Sequence, residues 1–312
     1  MVLGELGDFP FLPELPNRGP GSEMIGRAGT LLVAMPIEIV PSGWRLTAHP
    51  GRDLRQARDF LSRDLDALEQ AASTHQGVVK LQVCGPWTLA ASLELPSGHR
   101  VVADHGAVRD LVASLAEGVA AHVADVAARL PAAQVVLQLD EPLLPAVLNA
   151  TVPTASGYGT LRSVEPNIVT AALREVFASV SHGGRIVHSC ADDVPIALLR
   201  EGGADVLSID LTTTKSWSAP RLDALGEAVE AGVRLMLGVV PSVGSSSSAP
   251  LRASDGADKI KQLWNVLGFG PGQLASTVVP TTSCGFAGAS AQYVRQALRV
   301  SREIGEELLQ SS

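Results

Sequence analysis

His188-Ser189-Cys190 and Cys284 are the residues of this sequence with the most distinct chemical potential. An imidazole and a thiol two positions apart on an extended segment point to the same side. Arg185-Ile-Val187 leads into them after Gly183-Gly184, so both stand at the end of a short strand. Zinc takes nitrogen and sulfur donors in a tetrahedron, and this pair is half of such a set. A core histidine beside a small buried cysteine accounts for the pair equally well. Cys284 changes that balance. It ends the last strand-like stretch, Thr277–Cys284, and Gly285 lets the backbone turn there. Asp210 ends Val206-Leu-Ser-Ile-Asp210. It is placed either to add an oxygen ligand or to cap the following turn. Three strand ends delivering His188, Cys190, Asp210 and Cys284 make a candidate zinc centre.

Gln138-Leu139-Asp140-Glu141-Pro142 closes another strand-like stretch. Adjacent carboxylates on a strand face opposite ways, so Asp140 shares a side with Gln138 and Glu141 does not. A carboxylate at a strand end suits holding a substrate ammonium group. Glu14, near the end of the first strand-like stretch, joins Gln138 and Asp140 as a candidate substrate contact. Cys84 has apolar flanks and reads as a small buried hydrophobe.

The elements that must position these residues alternate in period. Strand-like runs are Phe9–Pro16, Val78–Cys84, Gln134–Asp140, Arg185–Cys190, Asp205–Asp210, Arg234–Val240 and Thr277–Cys284. Helical stretches lie between them: Asp53–Ala72, Ala107–Leu130, Glu165–Val180, Val194–Glu201, Arg221–Ala231, Ala257–Leu267 and Ala289–Leu309. Such alternation implies a parallel sheet with right-handed crossovers. In a closed barrel the strand ends converge on one mouth, which lets Cys284 meet His188 and Cys190 across nearly a hundred positions. The expected fold is therefore a (β/α)8 TIM-type barrel, a single domain over residues 1–312. Seven strands are visible where eight are needed. Either the first is missing from this chain, Met1–Leu6 reading as the tail of a helix, or Ile37–Leu46 supplies it. A doubly wound open sheet is the alternative, and no G-x-G-x-x-G supports its nucleotide-binding form. The serine-rich Gly244–Pro250 reads as a loop on the strand-end face, in the place of a lid.

Composition agrees with this picture. The 312 residues are 46% hydrophobic and 18% charged, enough for a large core. The net charge of -8 and the absence of a Lys/Arg cluster give nucleic-acid binding no support. No uninterrupted apolar run reaches the roughly 18 residues of a membrane span. The N-terminus lacks the basic region of a secretory signal. Three well-separated cysteines form no disulfide framework, and the expected compartment is the cytoplasm.

At the residues above, the sequence resembles the cobalamin-independent methionine synthase family, in its C-terminal catalytic barrel. The matching stretches are Gln138-Leu-Asp-Glu-Pro142, His188-Ser-Cys190, Ala204-Asp-Val-Leu-Ser-Ile-Asp210, Ser283-Cys-Gly285 and Gly85-Pro-Trp-Thr-Leu89. The resemblance implies zinc ligands at His188, Cys190 and Cys284, and an amine contact from Asp140 to homocysteine. Asp210 falls where the family has a zinc-binding Glu. Three features of the family have no counterpart: its Gly-Ser-x-Pro segment, a proton-donating His after the seventh strand (Gly238-Val-Val-Pro-Ser242 stands there), and a folate-stacking Trp, which falls near Ser92.

The implied reaction is methyl transfer to a zinc-activated thiol, homocysteine to methionine. Methyltetrahydrofolate or a methylcorrinoid partner protein would be the donor. A folate leaving group needs a proton, and general-acid help of that kind is worth roughly 10²–10⁴-fold. Two other readings stand beside it. One is a non-catalytic zinc- or thiol-binding homologue. The other is a metal-free enzyme of the uroporphyrinogen decarboxylase type, for which Arg18 and Arg27 would have to line a carboxylate pocket.

Overall fold

The computed structural model describes residues 1–180, 183–213, 217–244 and 250–311. Most of the Gly244–Pro250 loop therefore lies outside the described residues. The chain divides into two units: residues 11–185, and residues 186–312 together with 1–10.

Helix α1 (Val2–Glu5), where a helix tail is expected, belongs to the second unit. The first unit begins with α2 (Met24–Gly29), whose N-terminus is capped by Glu23. The stretch Ile37–Leu46 then forms an antiparallel hairpin, β1 (Ile37–Val40) and β2 (Gly43–Leu46). It is not the missing barrel strand. Pro41-Ser42 turns the chain back on itself between Val40 and its partner Gly43. Helix α3 (Arg52–Ala72) buries Leu54, Ala57, Leu61, Leu65 and Leu68, a three- and four-residue spacing that lays one stripe against the unit. Strand β3 (Val78–Cys84) leads to α4 (Pro86–Ser92) and α5 (His105–Arg129). Strand β4 (Gln134–Asp140) pairs in parallel with β3, Val78 opposite Gln134 through Cys84 opposite Asp140. Helices α6 (Leu144–Leu148) and α7 (Pro166–Ala178) follow.

Helix α5 is long and apolar enough to cross a membrane by length and composition. Its most apolar window is 56% buried, and Leu111, Leu115, Val119 and Val126 have no exposed surface. That is the burial of a core helix, and Arg109, Asp110 and Glu117 interrupt its apolar residues.

The second unit repeats strand and helix: β5 (Arg185–Ser189), α8 (Ile196–Glu201), β6 (Val206–Asp210), α9 (Ala219–Glu230), β7 (Arg234–Val240), α10 (Ala253–Leu267), α11 (Leu274–Thr277), β8 (Val278–Thr282) and α12 (Ala291–Gln310). Strands β5 to β8 pair in parallel in chain order. Every residue of β6 is buried, as expected of a strand covered on both faces. Glu5 of the N-terminal segment reaches Arg295 and Arg299 of α12.

The described residues thus contain six parallel strands, two in one unit and four in the other, where the barrel expectation requires eight. Phe9–Pro16 is not a strand. It makes a single bridge, Phe11 to Lys80. Pro10, Pro13 and Pro16 remove the donors a ladder needs.

Candidate metal centre

His188 lies on β5, opposite Ser208 of β6. Its Nδ1 stands 3.1 Å from both the Ser208 carbonyl oxygen and the Ser208 Oγ. Anchoring one ring nitrogen this way fixes the plane of the imidazole. Cys190 follows immediately beyond β5, on the same side of the chain as His188.

Cys284 arrives from β8. Ser283 N–H donates to the Val240 carbonyl at 2.8 Å, Ser283 Oγ accepts from Ser242 N–H at 3.1 Å, and Thr282 Oγ1 donates to the Cys284 carbonyl at 3.0 Å. Gly238 on β7 makes room for this segment. A Cβ there would lie 2.8 Å from Ser283 Cα and 3.2 Å from the Ile209 carbonyl oxygen. Only glycine lets the backbones on either side of β7 come this close.

The result is one cluster. His188, Cys190 and Cys284 each offer a donor atom, and all three atoms lie within 4.8 Å of one another. The two sulfurs are 3.6 Å apart. A disulfide would hold them at about 2.05 Å. Two zinc–sulfur bonds of about 2.3 Å in a tetrahedron hold them about 3.8 Å apart. The donor set and its spacing therefore fit zinc. His188 is buried and Cys284 exposed, so the cluster is open on one side. Contact with the Cys190 thiol, and next with His188, pulls Cys284 down to about 4. The same contact with Cys284, together with burial, pushes Cys190 up. The two thiols therefore titrate as one pair.

Asp210 lies outside this cluster. Its Oδ1 accepts from Thr212 N–H at 2.6 Å and from Thr212 Oγ1 at 2.7 Å. Of the two roles open to it in the sequence, these contacts are those of the turn cap, made through one of its two oxygens.

In the first unit, Asp140 is buried and accepts from Gln138 Nε2 at 2.7 Å, the pairing the i, i+2 spacing predicts. Glu14 lies near it. Burial, and then the Asp140 charge, raise Glu14 to about 7, and Arg27 Nε stands 3.8 Å away. Glu141 faces the other way and is wholly buried. It takes Trp87 N–H at 2.9 Å, Thr88 N–H at 2.7 Å and Thr88 Oγ1 at 2.7 Å, which fixes the first turn of α4. Burial still pushes it up to about 7 against these three donors. Gly85 is required by this contact, because a Cβ there would lie 2.4 Å from Glu141 Oε1. The Gly85-Pro86 and Asp140-Glu141-Pro142 segments are therefore two halves of one structural clamp, which the sequence alone does not reveal. Cys84 is buried, and burial pushes its thiol well up, in keeping with a packing role. Arg18 and Arg27 are both committed to Asp64, Arg18 in two bonds of 2.8 Å. The two arginines named for a decarboxylase pocket thus share one carboxylate partner.

The family described as "Cobalamin-independent synthase, Catalytic domain" matches residues 68–307. No curated protein matches the chain in sequence. Among solved structures, a B12-independent methionine synthase from Shewanella sp. W3-18-1, in complex with selenomethionine, is similar in fold, with a TM-score of 0.55 at 14% identity. The similarity covers 79% of this chain and 66% of that one, just under two thirds of its length.

Proposed function

The chain belongs to the family of cobalamin-independent synthase catalytic domains, and from that premise we propose that it transfers a methyl group to a thiol at the His188/Cys190/Cys284 centre. Homocysteine is the acceptor in this reading, and methionine the product. The single observation that carries it is the convergence of one imidazole and two sulfurs within 4.8 Å from two separate strand ends. The Shewanella neighbour, a methionine synthase in complex with selenomethionine, lends support to an amino-acid ligand with a sulfur-type side chain.

Zinc is the metal we assign to this donor set. When bound, it supplies the Lewis acidity that favours the deprotonated, nucleophilic form of an incoming thiol at neutral pH. The chain's own residues do the rest. Ser208 holds His188 in one orientation, and the Cys190/Cys284 pair provides the negative charge that retains a cation. Within the first unit, Asp140, with Gln138 locking its carboxylate, is the residue we assign to an amino-acid ammonium, and Glu14 adds a second carboxyl near it. The methyl donor is methyltetrahydrofolate in this proposal. A family described as cobalamin-independent gives a corrinoid partner no support. The proposal takes the chain as one (β/α)8-type domain, a reading that the parallel strand-helix repeats support.

The test is methionine formation by the purified, zinc-loaded chain from homocysteine and 5-methyltetrahydrofolate. Wild type should turn over, and Cys284→Ser should lose both zinc and turnover. Zinc bound at one per chain without methyl transfer would reject the enzyme and leave a non-catalytic zinc-binding homologue.

A further inference from the structure

One buried-side cation is used by nothing above. Lys80 sits in the middle of β3, in a run that is otherwise apolar apart from Gln82. Lys80, Gln82 and Cys84 share one face of β3, and their partners Val136, Gln138 and Asp140 share the matching face of β4. Lys80 Nζ stands 3.3 Å from Gln82 Oε1, so the side chain runs along the strand toward the Asp140 end. Its ammonium also lies over the Phe11 ring, 5.3 Å from the centroid, a contact that favours the charged form. Burial lowers Lys80, and the charges of Asp140 and then Glu14 hold it up. Among the described residues it makes no ion pair within 4 Å, and its one hydrogen-bond acceptor is the Gln82 side chain. An ammonium with three donors and one neutral acceptor has capacity for an anion. Lys80, Gln82 and Glu14 are each partly accessible to solvent.

We propose that Lys80 reads the α-carboxylate of the acceptor amino acid, whose ammonium is taken by Asp140 and Glu14. This deepens the proposed function and rests on its amino-acid acceptor. The chemistry is that of a zwitterion, with both charges on one carbon. Asp140 and Glu14 satisfy one end but repel the other, because the substrate carboxylate meets two more of its own kind. A cation on the same strand face removes that repulsion and supplies charge-assisted hydrogen bonds. Arg27 is less suited to the task, being bound to Asp64. Lys80 is thus a specificity-determining residue: it selects amino-acid thiols over simple amine thiols.

The experiment is calorimetric binding of methionine and of its decarboxylated analogue 3-(methylthio)propylamine, each to wild type, Lys80→Met and Lys80→Arg, with folding checked by circular dichroism. Wild type should favour methionine by about tenfold or more, the worth of a hydrogen bond to a charged group. Lys80→Met should bring the ratio to within about twofold by weakening methionine alone, and Lys80→Arg should keep most of the preference. Should Lys80→Met not fold, Lys80→Gln must show the same loss. A Lys80 variant that weakens both ligands alike, with the ratio unchanged, overturns the inference and leaves the proposed function standing. Failure of methionine to bind wild type at all removes the amino-acid reading and Lys80's role with it.

Discussion

Ser208 offers His188 two oxygens, and this redundancy sets what a substitution can do. Ser208→Ala removes the hydroxyl and keeps the carbonyl. Zinc affinity, measured by competition with a chelator, should weaken by about tenfold, the low end of the range for groups that orient a metal ligand. A loss of about a hundredfold would mean that the hydroxyl alone sets the ring. Asp140→Asn keeps the shape and removes the charge. Methionine binding should weaken by about tenfold or more while zinc content stays unchanged. The three-donor cluster is legible in the sequence because strand parity puts His188 and Cys190 on one side, and because a glycine follows Cys284. Asp210 is not, since a strand-end aspartate serves as ligand or as cap, and its Thr212 contacts become visible only in the folded chain. Lys80 escapes notice for the opposite reason: a single lysine in an apolar run reads as an edge or a tolerated exception.

Two glycines permit close approaches at the scale of elements, and one of them bears on the site. Gly238→Ala puts a Cβ 2.8 Å from Ser283 Cα, a backbone atom that can move only with the whole exit of β8. We expect the variant to fold and to bind zinc more weakly than wild type by about tenfold, the consequence of shifting Cys284, and an unchanged zinc affinity would show that β8 does not position the ligand. Gly85→Ala acts elsewhere. It drives into the Glu141 carboxylate, so its effect should be on the denaturant midpoint, about 1–3 kcal/mol, as for overpacking of a core. Strand ranges transfer from sequence to structure almost unchanged where β-branched runs end at a Gly, a Pro or an acidic residue, as for Val78–Cys84, Gln134–Asp140 and Arg234–Val240. They fail where proline intervenes. Phe9–Pro16 has the hydrophobicity of a strand without its donors, and Pro41-Ser42 turns one expected strand into a hairpin.

For the whole molecule, three buried groups set the response to pH. Glu14 and Glu141 sit at about 7, above the ordinary 4.5, so the fold holds protons that the unfolded chain has released between those values. Their stabilisation is full below about 4.5 and is lost as pH rises through about 7. His122 works the other way. Burial holds it down to about 4 from 6.5, and its contribution is lost as pH falls through that interval. Above about 6.5 the histidine no longer contributes; with the opposing low-titrating thiol removed by Cys284→Ser, the urea midpoint should fall with rising pH there, and adding Glu141→Gln should flatten that limb. A midpoint that rises through the same interval would place both carboxyls in the ionised state. The central claim, however, concerns the metal, and X-ray absorption at the zinc edge of the purified chain reads it most directly. We predict one zinc per chain with two sulfurs at about 2.3 Å and an imidazole nitrogen at about 2.0–2.1 Å. A zinc shell of oxygen and nitrogen only, or a chain that takes up no zinc, would contradict it.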